Sequence, residues 1–255
     1  MEAPPLQKEH VFACKKTGII AQLEKSILPL QGLKKLSTDN DIDIGFHPIE
    51  NAFPNSTFPI GCTHEFLSAS QQDIAATNSF IAALVSKLMQ FNGATIWISA
   101  SRTLFPAALK QFGIEPQQIV FADLKKEKDV LYATEEALKC NRLATVISEM
   151  REISFKESRR LQLAAEQSRV TGFIIRHQPR IINTVACVSR WRITSLQSEL
   201  IDGTPGVGFA RWNAELLKVR NGKPGKWKIE YTENRFNEIE ENIFAIPQIQ
   251  IRKTG

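Results

Sequence analysis

The feature that most constrains the fold is a regular alternation of strand-like and helix-like segments between residues 62 and 177. The runs THEFLS, ATIWIS, QQIVFAD, LATVISEM and TGFIIRH have the length and apolar content typical of buried strands. Segments of helical period separate them: DIAATNSFIAALVSKLMQF, LFPAALKQFG, KEKDVLYATEEALKC and FKESRRLQLAAEQSR. Because parallel strands need long crossover connections, the pattern predicts an α/β fold with a mostly parallel, twisted sheet flanked by helices.

After residue 177 the pattern changes to strands alone. The segments TVACVSRWRITSL, FARWNAELLKVRNG and KWKIEYT are joined by turns that contain glycine and proline. Neighbours of this kind usually pair through hairpins, so we expect antiparallel strands that extend the sheet at its C-terminal end.

The region before the first strand differs from the body of the chain. Residues 37–61 are rich in Asp, Asn, Pro and Gly, which predicts a loop or linker. Residues 18–35 have apolar residues at helical spacing, interrupted by Pro29 and Gly32. We therefore predict an N-terminal helical extension and linker over 1–59, one core domain over 60–232 and a C-terminal tail over 233–255.

Composition limits the function classes only loosely. A net charge of +5 suits an acidic partner such as DNA without requiring one. The four cysteines contain no C-x-x-C pair, so neither a zinc site nor a disulfide framework is predicted. No signal-like segment or apolar run long enough for a membrane span occurs. We expect a cytoplasmic protein, compatible with nucleoid association, that uses no metal and no cofactor.

The turn after the first strand is the position where a mononucleotide-binding α/β fold presents backbone N–H groups and a lysine to phosphate. Here it reads SASQQDIA over residues 68–75. The preceding FPIGCTHEF resembles the entry to the phosphate loop of RecA. ATIWISASRTLFP and FGIEPQQIVFAD resemble the second and third core strands of that family. The resemblance implies a RecA-like core.

The chemistry of the family's nucleotide site is missing. Its loop glycines, lysine and magnesium-binding hydroxyl fall on Ser68, Asp73, Ile74 and Ala75. An isoleucine brings no charge to phosphate, and an aspartate repels it. We therefore expect a chain that is not an enzyme and does not hydrolyse ATP.

Two further catalytic positions of the family are affected. The acid that activates water falls on Ser101, and the metal-orienting acid falls on Ser148 or Glu149. A structural use of Glu149, as a helix cap or a partner of Arg151, is favoured over metal binding. His177 falls near the family's phosphate-sensing residue, and without phosphate we interpret it as a structural histidine.

The C-terminal strands carry a second resemblance. RWR at 190–192, RWN at 211–213 and ELLKVRNGKPGKW at 215–227 resemble the end of the ImuA-type mutagenesis factors. Together the two resemblances cover about residues 60–232. They imply an accessory role in SOS-type translesion synthesis, with an ImuB-like Y-family polymerase homologue, an error-prone DnaE-type polymerase and RecA as partners. They also imply self-association through an N-terminal segment, at residues 10–36.

Cations alternate with tryptophans in these strands, so charges and rings should face opposite sides. The basic face could contact DNA or a protein partner. Equally, it could be the solvated side of an ordinary half-buried sheet. The candidate contact residues are Arg190, Arg192, Arg211, Lys218, Arg220, Lys223 and Lys226.

Two alternatives remain open from the sequence. One is a division inhibitor of the SulA type, although such chains are usually shorter and lack the basic hairpin. The other is a divergent ATPase in which Lys125, Lys126 or an arginine from a second subunit replaces the lost lysine.

Overall fold

The computed structural model describes residues 45, 47–91, 93–198 and 208–239. Its strands are β1 (Thr63–Ser68), β2 (Ala94–Ser99), β3 (Ile119–Asp123), β4 (Leu143–Met150), β5 (Thr171–His177), β6 (Ser189–Ser195), β7 (Ala210–Val219), β8 (Gly225–Thr232) and β9 (Arg235–Glu238). Its α-helices are α1 (His47–Glu50), α2 (Gln71–Leu88), α3 (Glu127–Leu138) and α4 (Phe155–Ser168). Short 3₁₀ helices occupy Pro54–Ser56, Met89–Phe91, Pro106–Phe112 and Pro116–Gln118.

All nine strands form one mixed sheet in the order β3-β2-β4-β5-β1-β6-β7-β8-β9. The pairings from β3 across to β6 are parallel. The pairings β6–β7, β7–β8 and β8–β9 are antiparallel. The predicted α/β fold with C-terminal antiparallel strands is confirmed, and it is consistent with a RecA-like core.

Helices cover both faces of the parallel part. Phe80 and Ile81 of α2 pack on one face, together with Trp191 of β6. On the other face, Val130 of α3 and Leu161 of α4 pack against strand residues that include Ile98, Val146 and Ile174. Burial on both faces explains why the parallel strands are near-continuous apolar runs in the sequence.

The strands lie where the sequence predicts them, but one predicted α-helix does not form. The runs THEFLS, LATVISEM and TGFIIRH coincide with β1, β4 and β5. The segment LFPAALKQFG forms a seven-residue 3₁₀ helix in place of the predicted α-helix. Pro106 opens it, and Gly113, with φ of 74°, ends it through a bond from its N–H to the Lys110 carbonyl. The helix from Pro106 to the residue before Gly113 has only seven residues, which is short for an α-helix.

Part of the predicted linker packs against the sheet. Ile49, Phe53 and Phe58 are buried in the same core cluster as α2. The β7–β8 turn fits closely against this segment, since a Cβ on Gly222 would lie 2.2 Å from the Ala52 carbonyl oxygen. These residues are physically part of the core, although the sequence assigns them to the extension that ends at residue 59.

The sheet also continues beyond residue 232, where the predicted tail begins. Strand β9 pairs with β8, and the Phe236 side chain is 4% exposed. Its ring centroid lies 5.0 Å from that of Tyr231 and 5.7 Å from that of Phe80. The division of the chain into 1–59, 60–232 and 233–255 stays a prediction, with packing contacts across both boundaries.

Among the described residues, no helix combines the length and apolar character that crossing a membrane requires. The predicted helix at 18–35 and the predicted self-association segment at 10–36 lie outside the described residues.

Candidate functional site

The turn that would bind phosphate is short and internally bonded. Strand β1 ends at Ser68, and α2 begins only three residues later, with Ser70 as its N-cap. The Asp73 N–H donates to Ser70 Oγ at 3.1 Å, and the Ser70 N–H donates to Asp73 Oδ2 at 3.0 Å. This reciprocal capping box fills the start of the helix with the protein's own carboxylate. An anion would meet a negative charge there.

The other residues of this turn also have structural surroundings. Ser68 is fully buried, and its Oγ lies 3.0 Å from Thr77 Oγ1. Ile74 is 4% exposed, whereas Ala75 is exposed on the first turns of α2. The residues at the family's lysine and hydroxyl positions therefore carry no charge or oxygen donor toward a ligand.

Glu149 at the end of β4 is buried and accepts three hydrogen bonds. Its Oε1 accepts from Trp97 Nε1 at 2.5 Å. Its Oε2 accepts from Thr103 Oγ1 and from His177 Nε2, each at 3.0 Å. Three protein donors thus occupy most of the roughly four lone-pair positions of this carboxylate. Neither structural use that the sequence suggested is seen, because Glu149 bonds to Trp97, Thr103 and His177 and not to Arg151, and Ser154 caps the next helix. A structural role for Glu149 stays a prediction.

A cavity of about 210 Å³ opens at the carboxyl ends of β2, β4 and β5. This edge of a parallel sheet is where ligands bind in open α/β folds. Two glutamates and an arginine line the cavity, so it carries charges of both signs. The described residues contain no group of three His, Cys, Asp or Glu side chains that could hold a metal ion. The lining includes Ser101, Glu127, Glu149, Arg151, His177 and Gln178.

A buried ion network lies on the face of the sheet that is opposite to α2. Glu65 of β1 and Arg176 of β5 are both fully buried, and Arg176 Nη1 lies 3.0 Å from Glu65 Oε1. Arg190 Nε also pairs with Glu65, and Arg176 Nη2 lies 2.9 Å from Glu152 Oε2. Sequence reasoning missed this network. Its signal was a charged residue inside each of two apolar strand runs, THEFLS and TGFIIRH.

The structure separates the tryptophans and cations of the C-terminal strands as alternation predicts. Trp191 and Trp212 are buried against α2. On the other face, Glu215 pairs with Lys226 at 2.9 Å and with Arg192 at 3.3 Å.

Of the remaining candidate cations, two arginines have partners within the protein and two lysines are exposed to solvent. Arg211 pairs with Glu230 at 2.6 Å, and Arg220 donates to the Ala186 carbonyl at 2.8 Å. Lys218 and Lys223 are exposed and form no ion pair within the described residues. This arrangement resembles a half-buried sheet with a largely neutralised outer face. A contact role for Arg190, Arg192, Arg211, Lys218, Arg220, Lys223 and Lys226 stays a prediction.

The described cysteines are free thiols. Burial raises the pKa of Cys187 to about 12 and that of Cys62 well above its usual range. Because the thiolate is the nucleophile and the metal ligand, these two residues are suited to packing and not to chemistry.

No family model matches the chain. Protein ImuA of Caulobacter vibrioides is 28% identical over 204 residues, which cover 75% of this chain and 84% of that protein. The same values apply to strains NA1000 / CB15N and ATCC 19089 / CIP 103742 / CB 15. The chain is similar to Protein ImuA. The similarity supports the ImuA-type assignment that the motifs at 190–192 and 215–227 indicate.

Proposed function

We propose that the chain is a non-enzymatic accessory protein of damage-induced mutagenesis, which binds an ImuB-like polymerase homologue and acts with an error-prone DnaE-type polymerase. The similarity to Protein ImuA over 204 residues carries this proposal. RecA and DNA are further partners that the family resemblance implies for the same pathway.

The absence of ATP hydrolysis is part of the proposal. It is supported by the Ser70–Asp73 capping box, which puts a carboxylate at the start of α2 where phosphate binds in related folds. It is also supported by Glu149, whose oxygens accept from three protein donors.

A divergent ATPase that uses Lys125 or Lys126 has little geometric support. Both lysines follow β3, and three strands separate β3 from β1 in the sheet. At a strand spacing of about 4.8 Å, the two strand ends are roughly 19 Å apart. A lysine side chain spans only part of that distance, so it would not reach phosphate at the start of α2.

Nucleotide binding can be tested by thermal unfolding with millimolar ATP and magnesium. A ligand that binds only the folded state raises the free energy of unfolding, and the increase grows with the logarithm of the ratio of ligand concentration to Kd. We expect no change in Tm, with a RecA protein as the positive control. A shift that grows with ATP concentration would contradict the non-enzymatic proposal.

Partner binding can be tested by co-expression with the ImuB-like protein of the same genome. We expect the two chains to co-purify and to elute together in size-exclusion chromatography, with and without single-stranded DNA. Elution as two separate peaks in both conditions would contradict the accessory role.

A further inference from the structure

Three large apolar side chains are exposed near the carboxyl end of β5. Phe155 is 54% exposed, Ile181 is 69% exposed and Ile182 is 55% exposed. Single exposed apolar residues are common on protein surfaces, but neighbouring ones indicate an interaction site.

Hydrogen bonds bring the three residues to one place. The segment that follows β5 lies alongside the start of α4. The Arg180 N–H donates to Glu152 Oε1 at 2.7 Å, and Asn183 Nδ2 donates to the Ile153 carbonyl at 2.8 Å. The Ala186 N–H donates to Ser158 Oγ at 3.0 Å. Ile181 and Ile182 therefore lie beside the turn of helix that carries Phe155.

The buried ion network holds this segment in position. Arg176, which is fully buried, donates from Nη2 to the Ile181 carbonyl at 2.9 Å and from Nη1 to Asn183 Oδ1 at 3.1 Å. Arg190 Nη2 donates to the Asn183 carbonyl at 2.5 Å. The exposed isoleucines thus sit on a fixed backbone. A preorganised surface loses little conformational entropy when it binds a partner.

Four exposed cations lie on the segments that carry the apolar residues: two are on the first turns of α4, one directly precedes Ile181, and the Nε of the fourth donates to the Gln178 carbonyl at 3.2 Å. None of the four forms an ion pair within the described residues; they are Arg151, Lys156, Arg159 and Arg180. The nearby carboxylates are engaged, since Glu152 bonds to Arg176 and Glu157 accepts from the Ser154 N–H. The surface is therefore apolar at its centre and positive at its rim, which matches a partner that is apolar and acidic.

We propose that this surface, formed by Phe155, Ile181, Ile182 and the four cations, binds an acidic segment of a protein partner that presents apolar side chains to the isoleucines. Two aliphatic side chains beside one ring suit apolar protein contacts better than base stacking, which needs aromatic platforms. The inference rests on the proposed function, because it assigns the binding surface for the ImuB-like partner.

The first test substitutes the centre of the surface. We expect the double variant Ile181→Ser, Ile182→Ser to bind the ImuB-like protein at least about tenfold more weakly in calorimetric titration. Val120→Ser is the matched control, because Val120 is also a β-branched residue, is 54% exposed and lies on edge strand β3. It should change the Kd less than about twofold. Thermal unfolding of each variant would show that the fold is retained.

The second test concerns charge. Arg180→Glu should weaken binding of the same partner, and added salt should reduce the wild-type affinity more than that of the variant. Arg235→Glu, on β9 at the far edge of the sheet, is the control and should leave the Kd unchanged.

The outcomes separate the two proposals. A wild-type chain that fails to bind the ImuB-like protein overturns both the partner role and this surface. Wild-type binding that the isoleucine substitutions leave intact overturns the surface alone. If those substitutions abolish only single-stranded DNA binding, or only self-association in size-exclusion chromatography, the partner is nucleic acid or a second copy and the proposal is wrong.

Discussion

His64 lies within a chain of hydrogen bonds in the core. Trp191 Nε1 donates to Ser189 Oγ at 2.7 Å, and this hydroxyl lies 2.7 Å from His64 Nδ1. The His64 Nε2–H faces the Pro59 carbonyl at 2.9 Å. The imidazole also stacks on Phe58, with centroids 4.6 Å apart. With Nε2 donating to Pro59 and Nδ1 accepting from Ser189, the neutral form satisfies every contact.

Burial lowers the pKa of His64 to about 4, from 6.5 in the unfolded chain. Between these values only the unfolded state binds the proton, so the contribution of His64 to stability falls as pH decreases below about 6.5. From about pH 7.5 to about pH 5 we expect this histidine to cost about 2 kcal/mol of unfolding free energy. Urea unfolding at the two pH values measures the difference.

The matched variants identify which histidine is responsible. His64→Phe should shrink the pH-dependent loss by about the same 2 kcal/mol, whatever its effect at neutral pH. Ser189→Ala keeps the buried imidazole and should keep the pH dependence. An unchanged slope in His64→Phe would show that His64 is not the group that titrates.

At the scale of single elements, the start of α2 shows how a helix is capped at the position where related folds bind phosphate. Four N–H groups at a helix start lack partners within the helix, and a bound phosphate can satisfy them. In this chain the side chains of Ser70 and Asp73 accept hydrogen bonds from each other's backbone N–H groups, so no ligand is needed there. The same capping box begins α4 at Ser154 and Glu157. The start of α2 is thus built as an ordinary helix start.

The capping contribution is measurable. Ser70→Ala removes the acceptor for the Asp73 N–H and should lower the unfolding free energy by about 1 kcal/mol. Gln71→Ala, an exposed change one residue later, should stay within about 0.5 kcal/mol of the wild type. Equal midpoints for both variants in urea unfolding would argue against a structural role for the box.

At the scale of the whole molecule, the core extends beyond the predicted domain on both sides. Ile49, Phe53 and Phe58 come from before residue 60, and Phe236 comes from after residue 232. All four belong to the cluster that covers the α2 face of the sheet. The nine-stranded sheet therefore depends on contributions from both ends of the described chain.

A pair of fragments tests this dependence. A fragment over 60–232 lacks four large buried side chains, each worth on the order of 3 kcal/mol, which together rival the whole stability of a domain. We expect it to lose cooperative urea unfolding and near-ultraviolet circular dichroism. The fragment over 47–239 retains these side chains and should unfold cooperatively. Similar midpoints for the two fragments would instead support the boundaries at residues 60 and 232.

The sequence by itself determined where the main strands lie, and it predicted the loss of the phosphate chemistry. β1, β4 and β5 could be located because burial on both faces makes continuous apolar runs that turn residues bound. The prediction for residues 68 and 73–75 could be made because residue 68 ends the first strand and residues 73–75 lie near the start of the helix that follows it. Both signals are local in the chain.

Only the tertiary structure decided which distant residues meet. Glu149 bonds to Trp97 and His177, Glu65 pairs with Arg176, and the hairpin cations meet glutamates on neighbouring strands. The parallel pairing of β6 with β1 brings Arg190 to Glu65 across more than a hundred residues of sequence. Strand order and register determine which residues become partners, and both depend on the packing of the whole sheet. A local sequence pattern therefore does not predict these pairs.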